Sequence, residues 1–261
     1  MRKKAALGAK LWASASLLGL GLALISGPAS ATHSWNGYHW ARTTSSFTLT
    51  LRDNVGPAWD SFLRQASTDW TNSGVLDTVV TAGSGDPKKC RPVAGMVQVC
   101  NASYGRNGWL GLAQIWISSS HITQGAVKLN DSYFSLATYN KPEWRALVAC
   151  QEIGHTFGLD HQDENNSNTN LGTCMDYTSK PLGPPLPNTH PNDHDYAELA
   201  IIYGHLDSTS TVAPSLVASA PAADDWGRAI RFTREGKGRV YVKDLGPGRQ
   251  LVTFVHWLPV E

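Results

Sequence analysis

The stretch Gln151-Glu152-Ile153-Gly154-His155-Thr156-Phe157-Gly158-Leu159-Asp160-His161 decides how the rest of this sequence is read. Gln151 and His155 stand four residues apart, so on a helix their side chains share one face a turn apart, as two ligands gripping a single ion must. Glu152 is displaced by one position and can address a metal-bound water instead. Gly158 allows the left-handed backbone that ends a helix, after which the chain can swing His161 back toward the ion. Fourteen residues further on, Cys174-Met175-Asp176-Tyr177 supplies a methionine and a tyrosine.

Outward from this stretch the periodicity alternates between strand and helix. Upstream, Pro142 opens the helix that carries the motif, with Trp144, Leu147, Val148, Ile153 and Phe157 along it and Gly158 as its stop. Before that, Ser46 to Arg52 alternates as a strand, with Phe47, Leu49 and Leu51 on one side. Pro57 to Trp70 carries Trp59, Phe62, Leu63, Ala66 and Trp70 near helical spacing. Leu76–Val80, Met96–Val99, Leu112–Ser118 and Ala126–Leu129 read as further strands, separated over residues 82–111 by surface hairpins. Downstream, Asp193 to Tyr203 reads as a third helix that packs through Tyr196, Leu199, Ile202 and Tyr203. Ser208 to Asp225 is rich in Ser, Ala and Pro and reads as a linker. Residues 226–261 alternate as three short strands, too few residues for a secure core of their own, so a small β appendage packed on the main domain is expected.

On these residues the sequence resembles the metzincin zinc endopeptidases, whose motif is HExxHxxGxxH followed by a Met-turn. The match takes in Glu152, His155, Gly158, His161 and a Met-x-Tyr turn at Met175 and Tyr177, and the order of elements extends it over roughly residues 45–206. The resemblance implies an α+β, metzincin-like catalytic domain at residues 32–207 with a mixed sheet, an active-site helix and a C-terminal helix. It further implies Zn²⁺ held by Gln151, His155 and His161, Glu152 as general base, Tyr177 supporting the oxyanion or the metal, and Met175 as an apolar floor. A protein or peptide substrate and hydrolysis of internal peptide bonds follow from it.

The departure is Gln151, which stands where that family has its first histidine ligand. An amide oxygen is a weaker donor to Zn²⁺ than an imidazole nitrogen. The alternative is therefore a pseudoenzyme, a secreted binding or inhibitory module that kept the fold after losing a ligand. Retention of Glu152 favours the enzyme, since a binding module has no need of a general base. His121, His190 and His194 are reserve ligands, His194 first, because the third helix follows the Met-turn closely. Asp163 to Asn168 could offer oxygens to calcium, but it lacks the EF-hand glycine and reads more plainly as a solvated loop. The tryptophans read as core.

Composition narrows the setting. Of 261 residues, 41% are apolar and 16% charged, which is globular rather than disordered. The formal net charge is +1, from 22 basic and 21 acidic residues. Four of the basic ones, Arg2, Lys3, Lys4 and Lys10, fall in residues 1–31, which hold no acid, so the remainder is slightly acidic. That balance argues against nucleic acid as a partner. A basic start, an apolar run from Leu17 to Ile25, and Ala29 and Ala31 spaced as A-x-A read as a signal peptide cleaved before Thr32. The expectation is a secreted, extracellular monomer with no membrane association after cleavage. In an oxidising compartment four cysteines mean two disulfides. Three pairings are open; Cys90 with Cys100 is the economical one, leaving Cys150 with Cys174.

Overall fold

The computed structural model describes Met1, residues 33–212, residue 220 and residues 223–259. Apart from Met1, the expected signal peptide and its cleavage site lie outside these residues, as does part of the expected linker. In chain order the elements are β1 (His39–Trp40), β2 (Phe47–Asn54), α1 (Asp60–Thr71), β3 (Leu76–Ala82), β4 (Met96–Ala102), β5 (Trp109–Ser118) and β6 (His121–Asn130). There follow α2 (Asp131–Phe134), α3 (Pro142–His155), α4 (Asp193–Ile202), β7 (Arg228–Phe232), β8 (Gly238–Asp244) and β9 (Arg249–Trp257). One mixed sheet in the order β3-β2-β4-β6-β5-β9-β8-β7 runs through the molecule, and β1 pairs with β6 off that path. The first four strands are parallel; β5, β9, β8 and β7 are joined antiparallel. This is an α+β architecture.

The elements form where the sequence patterning asks for them. In β2, Phe47, Leu49 and Leu51 are buried while Thr48 is exposed. α1 buries Leu63, Ala66 and Trp70, and the Trp70 indole N–H donates to the Cys150 carbonyl at 3.1 Å, which locks α1 onto α3. α3 starts on Pro142 after an extended Lys141, with Glu143 at the positive end of the helix dipole. From Ala146 to His155 every residue of α3 is buried, so this helix lies in the core rather than on it. α4 starts with a capping box: the Asn192 side chain accepts from the Asp195 N–H while Asp195 accepts from the Asn192 N–H. Trp40, Trp59 and Trp70 are fully buried, as befits core tryptophans. Cys90–Cys100 and Cys150–Cys174 are both bonded, the second joining α3 to the turn that carries Met175.

The C-terminal strands differ from the expected appendage: they are part of the main sheet. The reason is visible in β5, buried at every position from Trp109 to Ile117. A strand apolar on both faces is an interior strand, and an unpaired edge there would expose a row of backbone polar groups. β9 supplies the missing partner along the whole of β5, and β8 and β7 extend the sheet beyond it.

Gly111 sets how closely α3 approaches this sheet. A Cβ at that position would come within 2.6 Å of the Val148 side chain and 2.9 Å of the Glu152 side chain. Gly111→Ala is therefore expected to cost about 1–3 kcal/mol through overpacking and to push Glu152 out of place. Urea unfolding midpoints of the variant and the parent chain check the first effect.

Candidate metal centre

α3 places Gln151, Glu152 and His155 side by side in the core, each at most 1% exposed. The helix ends where Gly158 takes φ +100°, a turn no other residue could make here because a Cβ would strike the Tyr38 carbonyl. The reversal brings Leu159 under His155, whose Nδ1–H donates to the Leu159 carbonyl at 2.8 Å. That bond leaves Nε2 of His155 as a bare lone pair, and Nε2 of His161 lies 3.0 Å from it. Two bare nitrogens at that distance repel, so a proton or a cation has to lie between them. Ligand nitrogens 2.0–2.1 Å from a tetrahedral zinc lie about 3.3 Å apart, slightly wider than this pair, whose spacing also suits an N–H···N hydrogen bond.

The loop after His161 is tied down by the C-terminal strands. Arg231 of β7 donates to Asp160 at 2.7 Å, and the buried Arg239 of β8 pairs with Glu164. Asp160 accepts from the His161 backbone N–H at 2.9 Å. Met175 is fully buried, and the Tyr177 ring lies 4.6 Å from that of His161. The Tyr177 hydroxyl donates to the Val255 carbonyl of β9 at 3.2 Å, and burial raises its pKa above the usual phenol value.

Gln151 is held at both ends. Its amide N–H donates to the Cys174 carbonyl at 2.8 Å, and its oxygen accepts a short hydrogen bond from Nδ1–H of His256 on β9. His256 is the residue that the sequence reading missed. It is 1% exposed, its Nδ1 lies 3.9 Å from the Glu152 carboxylate, and its Nε2 has no hydrogen-bond partner among the described residues. Phe254, two residues earlier on the same strand face, stacks on His155 with ring centres 4.3 Å apart. A lone histidine in a strand offers no spacing signal. The only hint was indirect, in that a glutamine at a ligand position asks for a donor from elsewhere.

Glu152 has no hydrogen-bond partner on either carboxylate oxygen among the described residues, and burial raises its pKa well above the usual carboxylate range. The reserve histidines stand elsewhere. His194 stacks on His33, His190 bonds Asp69 at 2.7 Å, and His121 faces Asp207 at 3.1 Å. In the Asp163–Asn168 run, Asp163 and Asn165 turn their side-chain oxygens onto backbone N–H groups two residues ahead, as a plain turn does.

Among known proteins, no family model and no curated sequence matches this chain. Solved structures show a distant likeness. High choriolytic enzyme 1, a hatching enzyme zinc-protease from the medaka fish Oryzias latipes, is 11% identical with a TM-score of 0.35, over 64% of this chain and 94% of its own. Myroilysin is 10% identical with a TM-score of 0.39, over 66% of this chain and 84% of its own. Likeness at that level carries no weight for what this chain does.

Without metal, the buried groups set the pH response. Burial, helped by neighbouring positive groups, holds His155 and His161 well below the usual histidine value, and burial holds His256 at about 3, so all three are neutral in the fold. The unfolded chain protonates them near pH ~6.5, and stability is lost as pH falls below that. Glu152 acts oppositely: protonated in the fold and ionised near pH ~4.3 when unfolded, it withdraws stability as pH rises toward its folded value. Urea midpoints of the chelator-treated chain should fall as pH drops below about 6.5. Glu152→Gln should flatten the alkaline side.

Proposed function

We propose that this chain is a secreted, zinc-dependent hydrolase of internal peptide bonds. The observation that carries the reading is the pair of Nε2 atoms of His155 and His161, converging at 3.0 Å beside the partnerless carboxyl of Glu152. The donor set fits a metal. His155 and His161 would hold it, and in this reading His256 is the third: its ring lies against that of Tyr177, its Nδ1–H is committed to Gln151 and its Nε2 is unpaired among the described residues. In this reading Gln151 is no ligand. It is the acceptor that fixes the tautomer of His256, as the outer partners of ligating histidines do.

When bound, zinc supplies a Lewis acid that polarises a carbonyl and acidifies a water. Glu152 would serve as the general base, its unpaired carboxyl oxygens free to hold a proton and return it to a leaving amine, a role suited to a carboxyl whose pKa burial has raised. Tyr177 can turn its hydroxyl from the Val255 carbonyl to a developing oxyanion. Residues 1–31 direct export, and the two disulfides suit an oxidising compartment. No helix among the described residues is long and apolar enough to cross a membrane.

A second reading is favoured by one observation: Glu152 is 0% exposed, covered by β5 at Gly111 and by His256 of β9, so a polypeptide has no open path to it. In that reading the chain binds metal without hydrolysis and acts as a secreted binding module. Metal content of the purified chain, paired with casein cleavage with and without chelator, separates the two. Chelator-sensitive cleavage establishes the hydrolase, stoichiometric zinc without cleavage establishes the binding module, and no zinc at all removes both.

Within the hydrolase reading, Glu152→Gln should lower turnover by about 10²- to 10⁴-fold with metal retained. Gln151→Ala should weaken zinc binding by roughly 10- to 100-fold, the size of an outer-partner loss, while His256→Ala should weaken it further. Zinc titration against a competing chelator measures both.

A further inference from the structure

A second group of histidines gathers away from the residues of the first. His39 of β1, His121 at the start of β6 and His205 beyond α4 each turn Nε2 toward one atom, Oδ1 of Asp207, at 3.4, 3.1 and 3.7 Å. Long-range pairing brings them together. The β1–β6 register sets His39 directly opposite His121, and their rings meet edge to face at 5.0 Å, with His205 edge-on to His39 at 4.7 Å. Asp207 is fixed from behind. Its backbone N–H donates to the Arg42 carbonyl at 2.8 Å, and its Oδ2 accepts from the Arg42 N–H at 2.9 Å, which leaves Oδ1 for the three rings.

The ring nitrogens and the carboxylate also offer a donor set to a cation. His39 donates its Nδ1–H to the Gly37 carbonyl at 2.7 Å, so in its neutral form Nε2 is a bare lone pair facing a carboxylate oxygen. His39 and His121 lie within hydrogen-bond distance of that oxygen, while His205 faces it at 3.7 Å without a hydrogen bond. A cation would use this arrangement fully, because it turns bare Nε2 atoms and the carboxylate into ligands. The bond from His39 to Gly37 is the kind of outer contact that orients a ligating histidine. Imidazole and carboxylate donors suit Zn²⁺ and its first-row neighbours rather than calcium or magnesium. The floor is buried, with the His39 and Asp207 side chains 6% and 9% exposed, while His205 at 55% leaves a way in.

We propose that His39, His205 and Asp207 form a metal site for Zn²⁺ or a similar ion, with His121 packed beside it, separate from the centre around His155 and His161. A bound ion would join the N-terminal strand β1 to the segment after α4. The site stands independently of the hydrolase reading.

The test uses the full chain after secretion, stripped with chelator and titrated with Zn²⁺, and with Co²⁺ as a spectroscopic probe. His205→Ala removes a half-exposed side chain and Asp207→Asn preserves shape, so both variants are expected to fold, as circular dichroism and urea unfolding will check. Each should take up one metal equivalent fewer than the parent, or bind that equivalent at least about tenfold more weakly. Zn²⁺ should raise the parent's melting temperature by more than it raises that of His205→Ala. If both folded variants keep the parent's stoichiometry and affinity, the site does not exist. Failure of the other centre reads differently: the parent then binds a single equivalent, and His205→Ala abolishes it.

Discussion

One amide group joins three parts of the fold. Gln151 donates to the Cys174 carbonyl and accepts from His256, so the helix α3, the turn that carries Met175 and the strand β9 meet on a single side chain. The Cys150–Cys174 disulfide holds two of those parts together one residue away. An amide suits this place because it offers a donor and an acceptor on one short planar group. With both ends engaged, Gln151 can orient a neighbour but has little left to give an ion. The position where the resemblance implies a ligand is also a structural junction, with His256 directly against it.

The same region holds buried polar groups without hydrogen-bond partners among the described residues. Glu152 is fully buried with neither oxygen paired among the described residues, and Nε2 of His256 is also unpaired there. A buried carboxyl without a partner costs roughly 1–3 kcal/mol even when neutral. Gly111 gives up a side chain so that this carboxyl can lie against the sheet. Natural sequences tend to break local rules of this kind at sites with a chemical task. An apolar residue at 152 would pack better, so the glutamate is a feature that stability alone does not explain.

Much of this was legible in the sequence. The helix from Pro142, the α1 face of Leu63, Ala66 and Trp70, and the β2 alternation all follow from local spacing, because each buries a face that the periodicity defines. The convergence of His155 and His161 was legible too, since a helix turn and a glycine stop act over a few residues. What could not be read depends on pairing between distant segments. β6 reaches back to His121 through polar residues such as Gln124, which is buried and accepts from the Ala220 N–H, so its first half carries no strand pattern. His256, His39 and His121 are isolated in sequence, and pairing between distant segments brings each to its neighbours.

The reach of the Gln151–His256 bond has a consequence for how the molecule is made. The two residues are 105 positions apart, and every element from the end of α3 to β9 lies between them. As the chain emerges from a ribosome or a translocon, α3 and its two histidines come first, while the third imidazole and the roof over Glu152 arrive only with β9. The centre is thus completed and closed in one event, the docking of β9 along β5. Until then β5 is an apolar strand with an open edge, available to any extended chain nearby. Final docking of β9 both completes the sheet beside β5 and closes the surroundings of Gln151 and Glu152.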